Sequence, residues 1–255
     1  MGNKYLINSI QRAFDILELF SHGEKELGIS DIARRLNLHK SMVYRIVTTL
    51  ENRGALEKSS ASGKYRPGIK LYILGLVVHD DNQLVTVSQP SLERLTELTG
   101  ETSNLVVMDG SMSVYIAQRE CDRMIRMFTK PGVKVYPHCS GAGKILLSEM
   151  DQKELQSIIK ANGFICYTKN TILSEKELMK ELNEIRQRGY AIDKEEREEG
   201  VMCIAAPVRN RNGTVVASIS ISGPINRFAK DRINGLINQV KTEALAVSRR
   251  LGFIG

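Results

Sequence analysis

The sequence predicts an α+β fold in two parts. Three observations carry this reading. Residues 1–75 hold three short amphipathic segments followed by two extended stretches around a glycine turn. Residues 69–89 are too apolar for a flexible linker and read as a helix. From residue 100 onward, alternating apolar runs mix with amphipathic helices, the order expected of an antiparallel sheet flanked by helices.

The first helix follows Ser9, a candidate N-cap, with Ile10, Ala13, Phe14, Leu17 and Phe20 at helical spacing. Ser30 is the candidate cap of a second helix, whose apolar face is Ile32, Ala33 and Leu36. Asn37, Leu38 and His39 interrupt the periodicity. A third helix then turns Val43, Ile46, Val47 and Leu50 inward and stops at Gly54. Two extended stretches flank Ala61, Ser62 and Gly63, a turn composition. Three helices and a hairpin describe a winged helix-turn-helix, with the third helix placed to enter a DNA major groove.

Residues 69–89 form the expected linking helix, and Pro90 opens another, with Ser88 as its cap. Strands are expected in TSNLVVMDG, SVYIAQREC and MIRMFTKPG, then a helix capped by Ser140. Two amphipathic helices follow, each ending at a glycine. YAIDKEE, VMCIAAPVRN and TVVASISISG read as strands, the last two joined by an Asn-Gly hairpin at Asn212 and Gly213. A long helix from about Lys230 closes the chain.

Composition narrows the function classes. Of 255 residues, 42% are hydrophobic and 25% charged, near the averages for globular domains, which excludes disorder, collagen and fibrous coiled coils. The 4 cysteines include no CxxC pair, so neither a disulfide scaffold nor a common zinc motif is indicated. No apolar run reaches the roughly 18 residues a membrane helix needs. The first residues lack the pattern of a secretory leader, and a cytoplasmic protein is expected. The net charge is +7, yet residues 1–75 alone carry 12 Lys+Arg against 7 Asp+Glu. Most of the positive excess therefore sits in less than a third of the chain, a pointer to nucleic acid.

The third helix offers Lys40, Ser41, Tyr44, Arg45 and Thr48 opposite its apolar stripe, with Met42 beside them. These side chains suit phosphate oxygens, guanine edges and thymine methyl groups. Lys64 and Arg66, in the hairpin, suit flanking phosphates.

Two further constellations carry chemistry. The helix beginning Ser140, Gly141, Ala142 and Gly143 has free N–H groups and small residues that admit a carboxylate. The same small residues equally serve tight helix–sheet packing. Ser220 and Ser222 share one strand face, with Asp193 and Cys203 on neighbouring strands, so one polar pocket takes in all four. The alternative is plain packing, with Asp193 capping a turn. Two rival functions use the same residues. His138, Cys139, Asp193 and Cys203 are metal-ligand types, which keeps a metal-responsive regulator as an alternative, though their spacing fits no zinc pattern. Cys139 or Cys203 as the nucleophile of an enzyme is the other, without an acid–base constellation to support it. No metal, cofactor or catalytic site is expected.

Across nearly its whole length the chain resembles the IclR family of transcriptional regulators. The resemblance rests on SIQRAFDILELF, ISDIARRLNLHKSMVYRIVTTLENRGALEK, YRPGIKLYILG, HCSGAGKILLS and GYAIDKEEREEGVMCIAAPVRN. The last is similar to the family signature of an Asp, a Glu three later and a Cys seven after that, here Asp193, Glu196 and Cys203; Arg209 stands where an aromatic residue or His is usual. The resemblance implies a winged helix-turn-helix over residues 1–68, a linker helix over 69–89 and a GAF-like effector-binding domain over 90–255. It implies double-stranded operator DNA and a small organic-acid effector as partners. It also implies a homodimer through the N-terminal domains, and in many members a homotetramer through the effector domains. The family's ligand positions match Gly141, Ala142, Asp193, Cys203, Ser220 and Ser222, and its apolar pocket wall matches Met124, Met127, Val135 and Val201.

Overall fold

The computed structural model describes residues 6–22, 24–81, 83–127 and 129–255. The chain forms two compact units that divide between residues 82 and 83.

The first unit is a winged helix-turn-helix. It comprises α1 (Asn8–Glu18), α2 (Ile29–Arg35), α3 (Lys40–Asn52), an antiparallel hairpin of β1 (Leu56–Lys58) and β2 (Tyr65–Pro67), and α4 (Ile69–Asp81). Its core joins Ile16 and Phe20 of the first segment to Ile32, Ala33, Val43 and Val47, with Leu56 and Tyr65 closing it from the hairpin. Leu27 and Tyr65 exchange backbone hydrogen bonds at 2.9 Å, which pins the segment before α2 to the wing. The turn between α2 and α3 is made by Asn37 at φ 51°, a left-handed position that Asn tolerates better than most residues.

Three expectations change here. Ser9 lies inside α1, whose N-cap position is Ile7. Ser30 lies inside α2, which begins after Gly28, and the Gly28 N–H donates to the Asp31 carboxylate at 3.2 Å. The α1 stripe is only partly internal: Ile16 and Phe20 are buried, whereas Ile10 and Phe14 are 52% and 62% exposed.

The second unit is built on one six-stranded sheet in the order β5-β4-β3-β8-β7-β6, every pairing antiparallel. The strands are β3 (Thr102–Asp109), β4 (Met112–Arg119), β5 (Lys134–Val135), β6 (Ala191–Lys194), β7 (Val201–Arg209) and β8 (Val215–Pro224). α5 (Gln83–Thr99) and α9 (Lys230–Arg250) cover one face through Leu92, Leu95, Ile204, Ile219, Ile221 and Val240. α6 (Gly141–Ser148) and α8 (Glu175–Arg188) cover the other, where Ile145, Leu178 and Leu182 meet Val106 and Ala205; α7 (Gln152–Asn162) adds Leu155 and Ile158.

Of the helix expected over residues 69–89, residues 69–81 lie in α4 and 83–89 in α5, residue 82 lying outside the described residues, and α5 runs on through Pro90. The exposed proline removes one N–H from the helix ladder. Val85, Ser88, Leu92, Leu95 and Thr99 nevertheless keep one continuous buried stripe across it, and that burial decides the outcome. Of the stretch 124–132, read as a strand, residues 124–127 and 129–132 lie outside any strand and residue 128 lies outside the described residues; Lys134–Val135 pairs with β4, opposite Val114 and Ser113. Pro131 and Gly132, the latter at φ +91°, turn the chain just before that pairing begins.

Candidate DNA-reading face and ligand pocket

On α3, Lys40, Ser41, Tyr44, Arg45 and Thr48 are exposed, while Val43 and Val47 are buried on the opposite side. Ser41, Tyr44, Arg45 and Thr48 fall at i, i+3, i+4 and i+7, a single stripe along the helix. The helix starts after His39 with no side-chain cap and no acidic residue in its first turn, and the Met42 N–H donates back to the His39 carbonyl at 3.0 Å. Met42 differs: it is half-buried and its sulfur accepts from Arg12 Nη1 of α1 at 2.6 Å, which turns it off the stripe. In the wing Lys64 is exposed, and Arg66 is paired with Glu57 directly opposite it on the hairpin.

In the second unit, strand register assembles a polar row. Asp193 lies opposite Cys203, Cys203 opposite Ser222, and Ser222 opposite Thr102. Directly paired residues share a sheet face, so all four point the same way. Asn104 extends the row: its Nδ2 donates to Ser222 Oγ at 3.3 Å and its Oδ1 accepts from Gln118 at 3.0 Å. α6 lies on this face with almost no clearance. A methyl group at Gly141 would stand 3.3 Å from Cys203 Sγ, and one at Gly143 only 2.4 Å from Pro137 Cα. Ser140 caps the helix by accepting from the Gly143 N–H at 3.1 Å.

A cavity of about 150 Å³ opens beside this row. Among the residues singled out from the sequence, Met127, Val135, Ser140, Asp193, Val201, Cys203 and Ser222 line it. Gly141, Ala142 and Gly143 are buried in the packing of α6, and Ser220 is buried one pleat along β8 from Ser222. Met124 does not line the cavity; its side chain is 97% exposed. Tyr115, Thr129, Val133, Arg197 and Glu198 complete the wall. Sequence reasoning did not find these five, because residues of three separate loops and strands meet there only on folding.

Burial sets the chemistry of the row. It raises Asp193 to about 6, against the pull of the Glu196 N–H that its carboxylate accepts at 2.8 Å. Glu196 is raised to about 7, again by burial, despite the ammonium of Lys144 beside it. Burial pushes the Cys203 thiol to about 11 and Cys139 to about 12. Both are protonated at neutral pH, so neither is an activated nucleophile.

The metal alternative finds no geometry. Among the described residues no three His, Cys, Asp or Glu side chains come together as a metal set. His138 Nε2 instead hydrogen-bonds the Ile165 carbonyl at 3.2 Å, and Cys139 Sγ donates to the Tyr136 carbonyl at 3.4 Å. Among the described residues no helix is long and apolar enough to cross a membrane.

Comparison with known proteins matches two family models in chain order. Residues 9–60 match the IclR helix-turn-helix domain and residues 77–249 the bacterial transcriptional regulator IclR C-terminal domain. The HTH-type transcriptional regulator XynR of Escherichia coli (strain K12) is 32% identical over 97% of this chain and 98% of its own. The crystal structure of the Thermotoga maritima IclR is 33% identical, with a TM-score of 0.76, over 96% of this chain and 99% of that one. An IclR homologue of Microbacterium hydrocarbonoxydans, solved in complex with 4-hydroxybenzoate, shares the fold at a TM-score of 0.85 and 22% identity, over 95% and 98% of the two chains. Its relatives are regulators rather than enzymes, and the chain belongs to the IclR family of DNA-binding transcriptional regulators.

Proposed function

We propose that this regulator controls a catabolic operon from the cytoplasm, gripping a pseudo-palindromic operator as a homodimer and answering to a small organic acid. Residues 1–68 are the DNA-binding domain, residues 69–89 the linking segment and residues 90–255 the effector domain. Lys40, Ser41, Tyr44, Arg45 and Thr48 read the major groove, with Met42 at its edge, while Lys64 and Arg66 hold flanking phosphates. The exposed stripe of α3 supports this reading.

The observation that carries the effector half is the register row of Asp193, Cys203 and Ser222 beside a small cavity capped by Ser140. The N–H groups at the start of α6, other than the Gly143 N–H that Ser140 holds, take the acid group with Ser222, and Ser220 stands one pleat along. Asp193 takes a ligand hydroxyl, Cys203 a weak polar contact, and Met127, Val135 and Val201 the apolar part. The Microbacterium relative's aromatic acid supports the ligand class.

Second copies of the chain cover the apolar side chains of the first unit: Leu6, Ile7, Ile10 and Phe14 around α1, and Ile69, Tyr72, Ile73 and Leu74 on α4, are each more than half exposed. Two such dimers pair into a tetramer on longer operators. Effector binding changes the spacing of the two DNA-binding domains through residues 69–89, with a coupling of about 1–3 kcal/mol.

Fluorescence anisotropy on promoter fragments next to the protein's own gene tests this. Salt-sensitive binding to one fragment, altered by at least one sugar, keto or aromatic acid, is the expected result. Indifference to every fragment, with and without acids, refutes it.

A further inference from the structure

The turn after β6 has an unusual backbone held from several sides. Glu195 sits at φ +58°, a left-handed conformation that non-glycine residues seldom adopt. Asp193 Oδ1 accepts the Glu196 N–H at 2.8 Å, and the Glu195 carboxylate accepts the Gly200 N–H at 2.7 Å. Lys144, buried under the turn, donates to the Glu196 carboxylate. From the other side, the hydroxyls of Thr168 and Thr171 donate to the carbonyls of Glu195 and Glu196. Strain of this kind persists only where its surroundings over-determine it, and it concentrates at ligand clamps.

What this turn delivers to the cavity wall is Arg197. Its guanidinium rests 5.6 Å over the ring of Tyr167, which lies with Thr168 and Thr171 in the segment between α7 and α8. No carboxylate forms an ion pair with it among the described residues. An aromatic face is a weak and easily exchanged partner for a guanidinium, whereas a carboxylate is a strong, bidentate one. Asp193, whose carboxyl feels the Arg197 charge, and Ser222 line the same cavity. At about 150 Å³ the space is well below the roughly 300–1,000 Å³ of pockets for drug-sized ligands. Ser140 and Arg197 both line this one small space.

We infer that Arg197 is the specificity-determining cation of this cavity, selecting small hydroxy or keto monocarboxylates over their uncharged analogues, with Tyr167 as the residue that positions its guanidinium. The inference rests on the organic-acid reading above and adds the full charge that helix N–H groups lack. In a small cavity, a full countercharge separates an acid from its amide far better than partial charges do. The run KEEREEG around Arg197 resembles any solvated charged stretch, so nothing in it marks this arginine as different from its neighbours.

Calorimetric titration of the full-length protein tests it, using a panel of two- to seven-carbon hydroxy, keto and aromatic monocarboxylates, each beside its primary amide. The acid that binds the unaltered protein best should bind Arg197→Gln at least tenfold more weakly, while its amide binds both proteins equally. Arg197→Lys should fall between, because it keeps the charge and loses the planar fork. Tyr167→Leu should weaken the acid severalfold and leave the amide unchanged. Operator binding without acid should be the same in all, which reports that they fold; should Arg197→Gln not fold, the Lys and Leu variants give the same acid-against-amide comparison. An acid that binds unaltered protein and Arg197→Gln equally overturns the role of Arg197 and leaves the organic-acid reading standing. If no acid in the panel binds the unaltered protein, both fall.

Discussion

Lys144, on α6, buries its side chain to 1% exposure and sets its ammonium against the carboxylate of Glu196, 52 residues later on the turn after β6. Ile192 O at 2.8 Å and Glu181 Oε1 at 3.3 Å accept from the same ammonium, so its three donors are all placed. The pair ties the helix whose N-terminus caps the cavity to the turn that carries Asp193 and Arg197. Lys144→Met removes the counter-charge and leaves Glu196 buried, with a destabilisation of about 3–5 kcal/mol expected. Adding Glu196→Gln should recover much of that loss, because a neutral amide costs far less to bury. Urea unfolding of the two single variants and the double variant checks this; additive losses would show that the two charges do not depend on one another.

Asp193 gives the protein a pH dependence of defined sign. Its carboxyl is raised from the usual range to about 6 by burial. Between about pH 4 and pH 6 the unfolded chain has released a proton that the folded chain keeps, so this group's contribution to stability falls as pH rises through that window. Glu196, raised to about 7, extends the same trend upward. Asp193→Asn keeps an oxygen to accept the Glu196 N–H and removes the titration. The melting temperature of the variant minus that of the ligand-free parent should therefore increase steadily from about pH 4.5 to about pH 7. A difference that stays flat over this range would place Asp193 in ordinary solvent contact.

On α3, Arg45 and Ser41 lie one turn apart on the exposed stripe, opposite Val43 and Val47. Arg45→Ala should weaken operator binding by about 1–3 kcal/mol and relax the base preference at one position of each half-site. Lys64→Ala, in the wing, should weaken all sequences alike and lower the slope of log affinity against log salt by about one per site occupied. Anisotropy titrations across a salt series separate the two outcomes. Equal loss of sequence preference in both variants would remove the division between reading helix and phosphate-holding wing.

Much of the architecture follows from local signals. α3 and its hairpin are readable because Val43 and Val47 repeat at helical spacing and Gly54, at φ +74°, stops the helix as only glycine does readily. Ser140 is readable as a cap because its hydroxyl satisfies an orphan N–H of a glycine-rich first turn. Asp193, Cys203 and Ser222 are readable as one face because strands alternate. Pro90 misleads, since a buried stripe with a long repeat overrules one local breaker. Lys144 and Arg197 are unreadable for another reason. A lysine in an apolar helix and an arginine in a charged run take their meaning from Glu196 and Tyr167, which only the tertiary fold supplies. The α1 stripe shows a third limit: periodicity marks Ile10 and Phe14 as apolar-face residues, yet the first unit leaves both more than half exposed.

That last point makes a prediction of its own. Phe14 is 62% exposed and Ile10 52% exposed, one turn apart on α1. Neither contributes to the core of the first unit, where Ile16 and Phe20 do that work. A charge at Phe14 therefore has little to disturb within one chain, and surface changes of this kind stay within about 0.5 kcal/mol. Against a second copy the same charge is buried without a partner, at a cost of several kcal/mol. Phe14→Glu should leave the melting temperature of the dilute protein nearly unchanged, yet shift sedimentation toward the single chain. Operator affinity should fall steeply, because each half-site must then be bound without its neighbour. A variant that melts normally and still sediments as the parent does would mean that the apolar face of α1 is not what joins two copies.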